Sequence, residues 1–103
     1  MMDELTVQLE KEQDKLTALI TGRIDSVTSR QLSETLEPAL RDAHSVVLDF
    51  ARVDYITSAG LRVLLRCSKM MDEKGGSFVI INPREDVMNI FRMTHLTDFV
   101  SVE

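Results

Sequence analysis

The chain is short of several things, and each shortage closes off a class of chemistry. Among 103 residues Cys67 is the only cysteine, so no internal disulfide can form and a reducing compartment is expected. His44 and His95 are the only histidines. Their spacing fits no metal-ligand pattern, and each is expected at the surface near an element boundary. Four glycines occur, and the one adjacent pair, Gly75-Gly76, precedes an apolar strand-like segment. Phosphate-cradling loops precede helices, so no nucleotide loop is expected. No apolar run approaches the length of a membrane span. Met1–Glu10 is acidic and lacks the basic segment and apolar stretch of a secretory signal. Twelve Lys and Arg stand against 17 Asp and Glu, a net charge of −5. The basic residues form no dense tract, so nothing here attracts nucleic-acid phosphates or an anionic membrane. The expectation is a cytoplasmic protein with no cofactor, no metal, and neither nucleic acid nor membrane as partner.

Apolar residues make up 44% and charged residues 28% of the chain, ordinary for a soluble globular protein. The apolar residues recur throughout, with no repeat, linker or low-complexity segment, so residues 1–103 are expected to form one domain. Leu5, Val7 and Leu9 alternate with polar residues, as do Leu16, Ala18 and Ile20. Two strands separated by a turn at Glu12–Lys15 follow, with Gly22 closing or bending the second. Thr28 with Gln31 fits a capping box, and Leu32, Leu36, Leu40 and Ala43 trace one face of a helix over 28–42. Pro38 should kink that helix or end its first half. His44–Phe50 predicts a strand buried on both faces, Ala51–Thr57 a loop. Ser58–Lys74 predicts a helix with Leu61, Leu64, Leu65, Ser68 and Met71 inward and a left-handed cap from Gly75 and Gly76. Phe78–Ile81 predicts a strand, and Arg84–Leu96 a helix with Val87, Met88, Ile90 and Phe91 inward. A last short strand is expected over Asp98–Val102. Strands and helices alternate from Ile24 onward, which argues for a mixed α/β sheet with helices covering a face.

No catalytic constellation emerges. Asp25, Asp49, Asp54, Asp72 and Glu73 are expected to be solvated charges. Cys67, between Arg66 and Ser68, is expected to be a packed, inert thiol. Met70, Met71 and Met88 are expected to fill the core. The segment that stands out is Val53-Asp54-Tyr55-Ile56-Thr57-Ser58-Ala59-Gly60-Leu61. Two hydroxyl residues and two small ones open a strongly apolar helix. In one account Thr57 or Ser58 caps the helix by accepting a hydrogen bond from an orphan N–H. In the other Ser58 is a modification site. The two are compatible, because a helix N-terminus favours negative charge and a phosphate adds about −1.5 to −2 without melting the helix.

Three segments carry a resemblance that covers essentially the whole chain. Ile20-Thr21-Gly22-Arg23-Ile24-Asp25 is similar to the apolar–x–Gly–x–apolar–Asp segment at the end of the second strand of STAS domains. Val46-Val47-Leu48-Asp49-Phe50 resembles their central strand, and Tyr55-Ile56-Thr57-Ser58-Ala59-Gly60-Leu61 their signature loop. The chain thus resembles the STAS-domain family and, within it, the free-standing anti-sigma-factor antagonists of bacteria. The resemblance implies an α/β fold with a mixed sheet of four to five strands and three main helices chiefly on one face. It implies that Ser58 is the phosphorylated residue, with Thr57 as a competitor, and that Gly22 and Asp25 lie in a neighbouring loop. Many members have Asp before that serine and a second hydroxyl after it, where this chain has Thr57 and Ala59; many also have Gly near His95. As partners the resemblance implies an anti-sigma factor, usually a GHKL-type serine kinase that releases the antagonist once it is phosphorylated, and a PPM-type phosphatase that resets it. The protein itself would catalyse nothing.

Arg62, Arg66 and Lys69 follow Ser58 at helical spacing and share its face. That face is either solvated or a docking surface, and the expected partner-binding set is Gly22, Asp25, Thr57, Ser58, Ala59, Gly60, Arg62 and Arg66. Two other assignments compete. One is a STAS module of another system, such as a lipid-transport accessory subunit or a sensory scaffold component. The other is a small α/β enzyme or nucleotide-binding protein, against which the missing phosphate loop and catalytic constellation argue.

Overall fold

The structure, a computed structural model, describes residues 5–103. Met1–Glu4, read above as part of an acidic N-terminus, lie outside the described residues. In chain order the elements are β1 (Thr6–Glu12), β2 (Lys15–Ile24), α1 (Thr28–Leu40), β3 (Ser45–Ile56), α2 (Ser58–Glu73), β4 (Ser77–Ile81), α3 (Glu85–Met93), a 3-10 turn (Leu96–Asp98) and β5 (Ser101–Val102). The strands form one sheet in sequence order; β1 is antiparallel to β2, and every later neighbour is parallel. The antiparallel pair closes through Gln13-Asp14, where Gln13 takes φ 59°. The later strands need helical crossovers because parallel neighbours cannot be joined by a tight turn.

The period of two puts Leu16, Ala18 and Ile20 beside Val46, Leu48, Phe78 and Ile80 on one face. That face carries a single cluster of buried side chains shared with Leu32, Leu36 and Leu40 of α1, Leu64, Cys67 and Met71 of α2, and Val87 and Phe91 of α3. Phe50 and Phe91 meet there with ring centroids 5.9 Å apart. The opposite positions, Thr17, Leu19, Val47, Asp49 and Val79, are half-buried. The strand at Val46–Phe50 is therefore buried on one face only, because all three helices gather on that side.

Several elements end as the sequence predicts, others do not. Gly75 adopts φ 76°, and Gly76 N–H and Gly75 N–H donate to Met71 O and Asp72 O, closing α2 with a paired motif. Pro38 sits near the end of α1 rather than splitting it. The carbonyls of Leu40 and Arg41 left at that end accept Lys74 Nζ at 2.7 and 2.8 Å. Three expectations are corrected. The helix expected to reach Leu96 stops at Met93, because His95 turns left-handed at φ 62°. The last strand shrinks to two residues, and Phe99, expected within it, is 69% exposed. On α2, Leu65 is 38% exposed while Val63 and Cys67 are buried. At 100° per residue Leu65 falls outside the arc centred on Leu64 and Met71.

Candidate functional site

The ends of β2 and β3 set the site's frame. Ala51–Thr57, expected to be a loop, is strand as far as Ile56, paired with β2 as Arg52↔Thr21, Val53↔Gly22, Tyr55↔Arg23 and Ile56↔Ile24. The register shifts twice, between Leu19 and Thr21 and between Gly22 and Arg23. Each shift places an unpaired residue in β3, so the buried positions run Phe50, Val53, Ile56. Gly22 allows the bend, since its φ of 116° suits few other residues. Beyond it, Arg23 lays its guanidinium over the Tyr55 ring, 5.2 Å from the centroid, and its Nε lies 3.5 Å from Asp25 Oδ2. The pairing of Arg23 with Tyr55 has no local signal in the sequence, because the two residues stand 32 positions apart.

Asp25 is committed to the start of α1. Its Oδ1 accepts the N–H groups of Val27 (3.0 Å) and Thr28 (2.9 Å). Thr28 Oγ1 takes the N–H of Asp25 (2.8 Å) and donates to Arg23 O (2.8 Å). Ser29 N–H reaches Asp25 O at 2.8 Å, so the reciprocal cap is Asp25 with Thr28. The expected Thr28–Gln31 box is thus displaced by three residues, and Gln31 Nε2 donates instead to Leu5 O at 2.9 Å. The Thr28 backbone N–H holds the Asp25 carboxyl below its ordinary value of 3.8; partial desolvation opposes it, and the Thr28 hydroxyl, the Val27 N–H and Arg23 assist.

α2 starts differently. Thr57 is extended (φ −104°, ψ 176°), and its side chain makes no cap. Its N–H donates to Ile24 O at 2.9 Å, and its hydroxyl turns to the same carbonyl at 3.3 Å. The expected hydroxyl cap is therefore absent at Thr57, because the end of β2 offers that hydroxyl an acceptor. Ser58, the first helical residue, is exposed, Ala59 is half-buried and Gly60 buried. A Cβ on Gly60 would stand 2.6 Å from Ile24 Cγ2 and 2.8 Å from Ile56 Cγ1, so its absence lets α2 press onto the strand ends. Among the described residues no side chain accepts a hydrogen bond from the N–H groups of the first turn of α2.

The structure thus brings Gly22, Asp25, Thr57, Ser58, Ala59 and Gly60 to one end of the sheet. Arg62 lies one turn down α2, exposed and without an ion pair among the described residues. Arg66 is engaged elsewhere: its Nη1 lies 3.2 Å from Glu37 Oε2 on α1, and the same oxygen accepts Ser33 Oγ at 2.6 Å. Cys67 is wholly buried, and burial above all pushes its thiol up to about 12. Among the described residues no group of three or more His, Cys, Asp or Glu could hold a metal ion. No described helix is long and apolar enough to cross a membrane.

The STAS domain model matches residues 6–103, nearly the full chain. The chain belongs to the STAS-domain family. Among its relatives, BtrV of Bordetella bronchiseptica is 31% identical over 91 residues, covering 87% of this chain and 78% of its own. The anti-sigma-B factor antagonist of Bacillus subtilis is 26% identical over 98 residues, 95% of this chain and 90% of that one. The fold is that of the Bacillus anti-sigma factor antagonist SpoIIAA. Its unphosphorylated form superimposes with a TM-score of 0.82 at 18% identity, over 95% of this chain and 88% of that one. SpoIIAA has also been solved in a phosphorylated form, with a TM-score of 0.74 at 17% identity over 95% and 91%.

Proposed function

We propose that this STAS domain, a single domain over residues 1–103, is an anti-sigma-factor antagonist working in the cytoplasm. Unphosphorylated, it binds an anti-sigma factor that is a GHKL-type serine kinase and so frees the sigma factor. Phosphorylation of Ser58 releases it, and a PPM-type phosphatase restores it. It is a binding protein and a kinase substrate, not an enzyme. The observation that carries this is the exposed Ser58 at the uncapped start of α2, in a chain whose relatives include anti-sigma-factor antagonists. A phosphate there adds about −1.5 to −2 charge. It meets the positive end of a helix with unsatisfied N–H groups, so the fold tolerates it while the surface changes sign. Thr57 is the poorer acceptor, since its hydroxyl is half-buried and turned to Ile24 O. Arg62 stands where it can sense the change and touch the partner. Arg66, held by Glu37, contributes less.

The test is incubation with the purified cognate kinase and ATP, followed by phosphopeptide mapping. One phosphate on Ser58 is expected. Ser58→Ala should stay folded, resist modification and bind the kinase constitutively, and Ser58→Asp should bind less well. Arg62→Glu should slow association and raise the dissociation rate with unchanged melting. Incorporation on Thr57 removes Ser58 from its role, and none at all transfers the chain to another STAS system.

A further inference from the structure

Two large apolar side chains that pattern as core stand in solvent side by side. Leu65 is 38% and Phe99 69% exposed, and with Ser68, Lys69 and Asp72 they line a groove of about 270 Å³. Phe99 is held outward by its backbone. Its neighbours Leu96 and Val100 are buried at 2% and 3%, its N–H donates to Leu96 O at 2.9 Å, and its carbonyl accepts Ser68 Oγ at 3.4 Å. The groove is continuous with the face that begins at Ser58. At 100° per residue, Ser58, Arg62, Leu65 and Lys69 fall within about 60° of arc on α2, along about 16 Å of helix.

We infer that the groove between Leu65 and Phe99 is the apolar anchor point for the anti-sigma factor, which inserts an apolar side chain flanked by carboxylates. This rests on the function proposed above and extends its footprint from the switch at Ser58 along the same face towards the far end of α2. The charge pattern selects the partner. Arg62 and Lys69 flank the stripe without an ion pair among the described residues, on a chain of net charge −5. A second copy docking through the same patch would bring two cations against a single carboxylate, Asp72, from each side, a net repulsion, whereas an acidic partner would neutralise the cations. The division of labour is physical. The phosphate changes electrostatics at one end, while a desolvated apolar contact supplies affinity at the other.

The test measures association and dissociation of the purified kinase that phosphorylates this chain, using the full chain with Ser58 or with Ser58→Asp. Phe99→Ala should weaken binding about ten-fold, mostly through faster dissociation and by the same factor in both backgrounds. Phe99→Leu should keep most of the affinity, and Lys69→Glu should mainly slow association and flatten its salt dependence. Thermal melting should be unchanged in each. If Phe99→Ala melts normally and binds within two-fold of wild type while Ser58→Asp still weakens binding, the anchor is refuted and the proposed function stands. If neither Phe99→Ala nor Ser58→Asp alters binding, or the kinase does not bind, both fall. A dimer in sedimentation that Phe99→Ala dissolves assigns the groove to a second copy and overturns the inference.

Discussion

The N-termini of α1 and α2 lie at the same end of the sheet and face the same need, yet they meet it in opposite ways. At α1 the Asp25 carboxylate and the Thr28 hydroxyl answer the orphan N–H groups and each other. At α2 the hydroxyl at the cap position, on Thr57, turns away to Ile24 O, and the first turn is left without a side-chain partner. α2 is seated instead from beneath, by Gly60 against Ile24 and Ile56. A chain that can build a reciprocal cap at one helix leaves the neighbouring helix open where its exposed serine stands. The difference marks α1 as a fixed support and α2 as the end with unspent hydrogen-bonding capacity.

The contrast can be broken at four points. Gly60→Ala should have the largest effect. Its methyl group must displace buried Ile24 and Ile56, a cost of about 1–3 kcal/mol in urea unfolding. Wild-type stability would show that α2 does not depend on this close approach. Thr28→Val should cost about 1–2 kcal/mol by leaving Arg23 O and the Asp25 N–H without their partner. Asp25→Asn should have a smaller effect with a definite pH dependence. The carboxyl is depressed in the folded state, so its contribution is present above 3.8 and lost as pH falls through the lower folded value. The stability gap to wild type should be widest near neutrality and close on acidification past 3.8; a gap constant across that range would deny the carboxylate its capping role. Thr57→Val should be the mildest, under about 0.5 kcal/mol, since Ile24 O keeps its bond from the Thr57 N–H. A loss equal to that of Thr28→Val would erase the distinction between the two helix starts.

What the sequence could and could not tell follows the range of each interaction. Leu32, Leu36 and Leu40 repeat at helical spacing and are buried as that spacing requires. The second half of β3 was hidden because two register shifts space its buried residues by three, Phe50, Val53, Ile56, which erases the alternation that announces a strand. The capping box at α1 was visible as chemistry but placed three residues late, because Asp25 and Thr28 both qualify as caps and only the backbone decides between them. Ser58, Gly22 and Asp25 are brought to one end of the sheet, as the resemblance implied. That Thr57 turns inward depends on a carbonyl 33 residues away, and that Leu65 and Phe99 meet outside the core depends on how the 3-10 turn leaves α3. Neither is written in any local window.

The sheet's two rims carry a last consequence, for behaviour in the crowd. An exposed strand rim is a template for pairing with other chains. Here the outer strand β1 ends in Glu10-Lys11-Glu12, exposed and charged, and the other rim, β5, is only two residues long. A protein acting as proposed above, by occupying its partner molecule for molecule, must accumulate to its partner's concentration and stay dispersed while it waits. Blunted rims on both sides let this chain be abundant without polymerising through its own sheet.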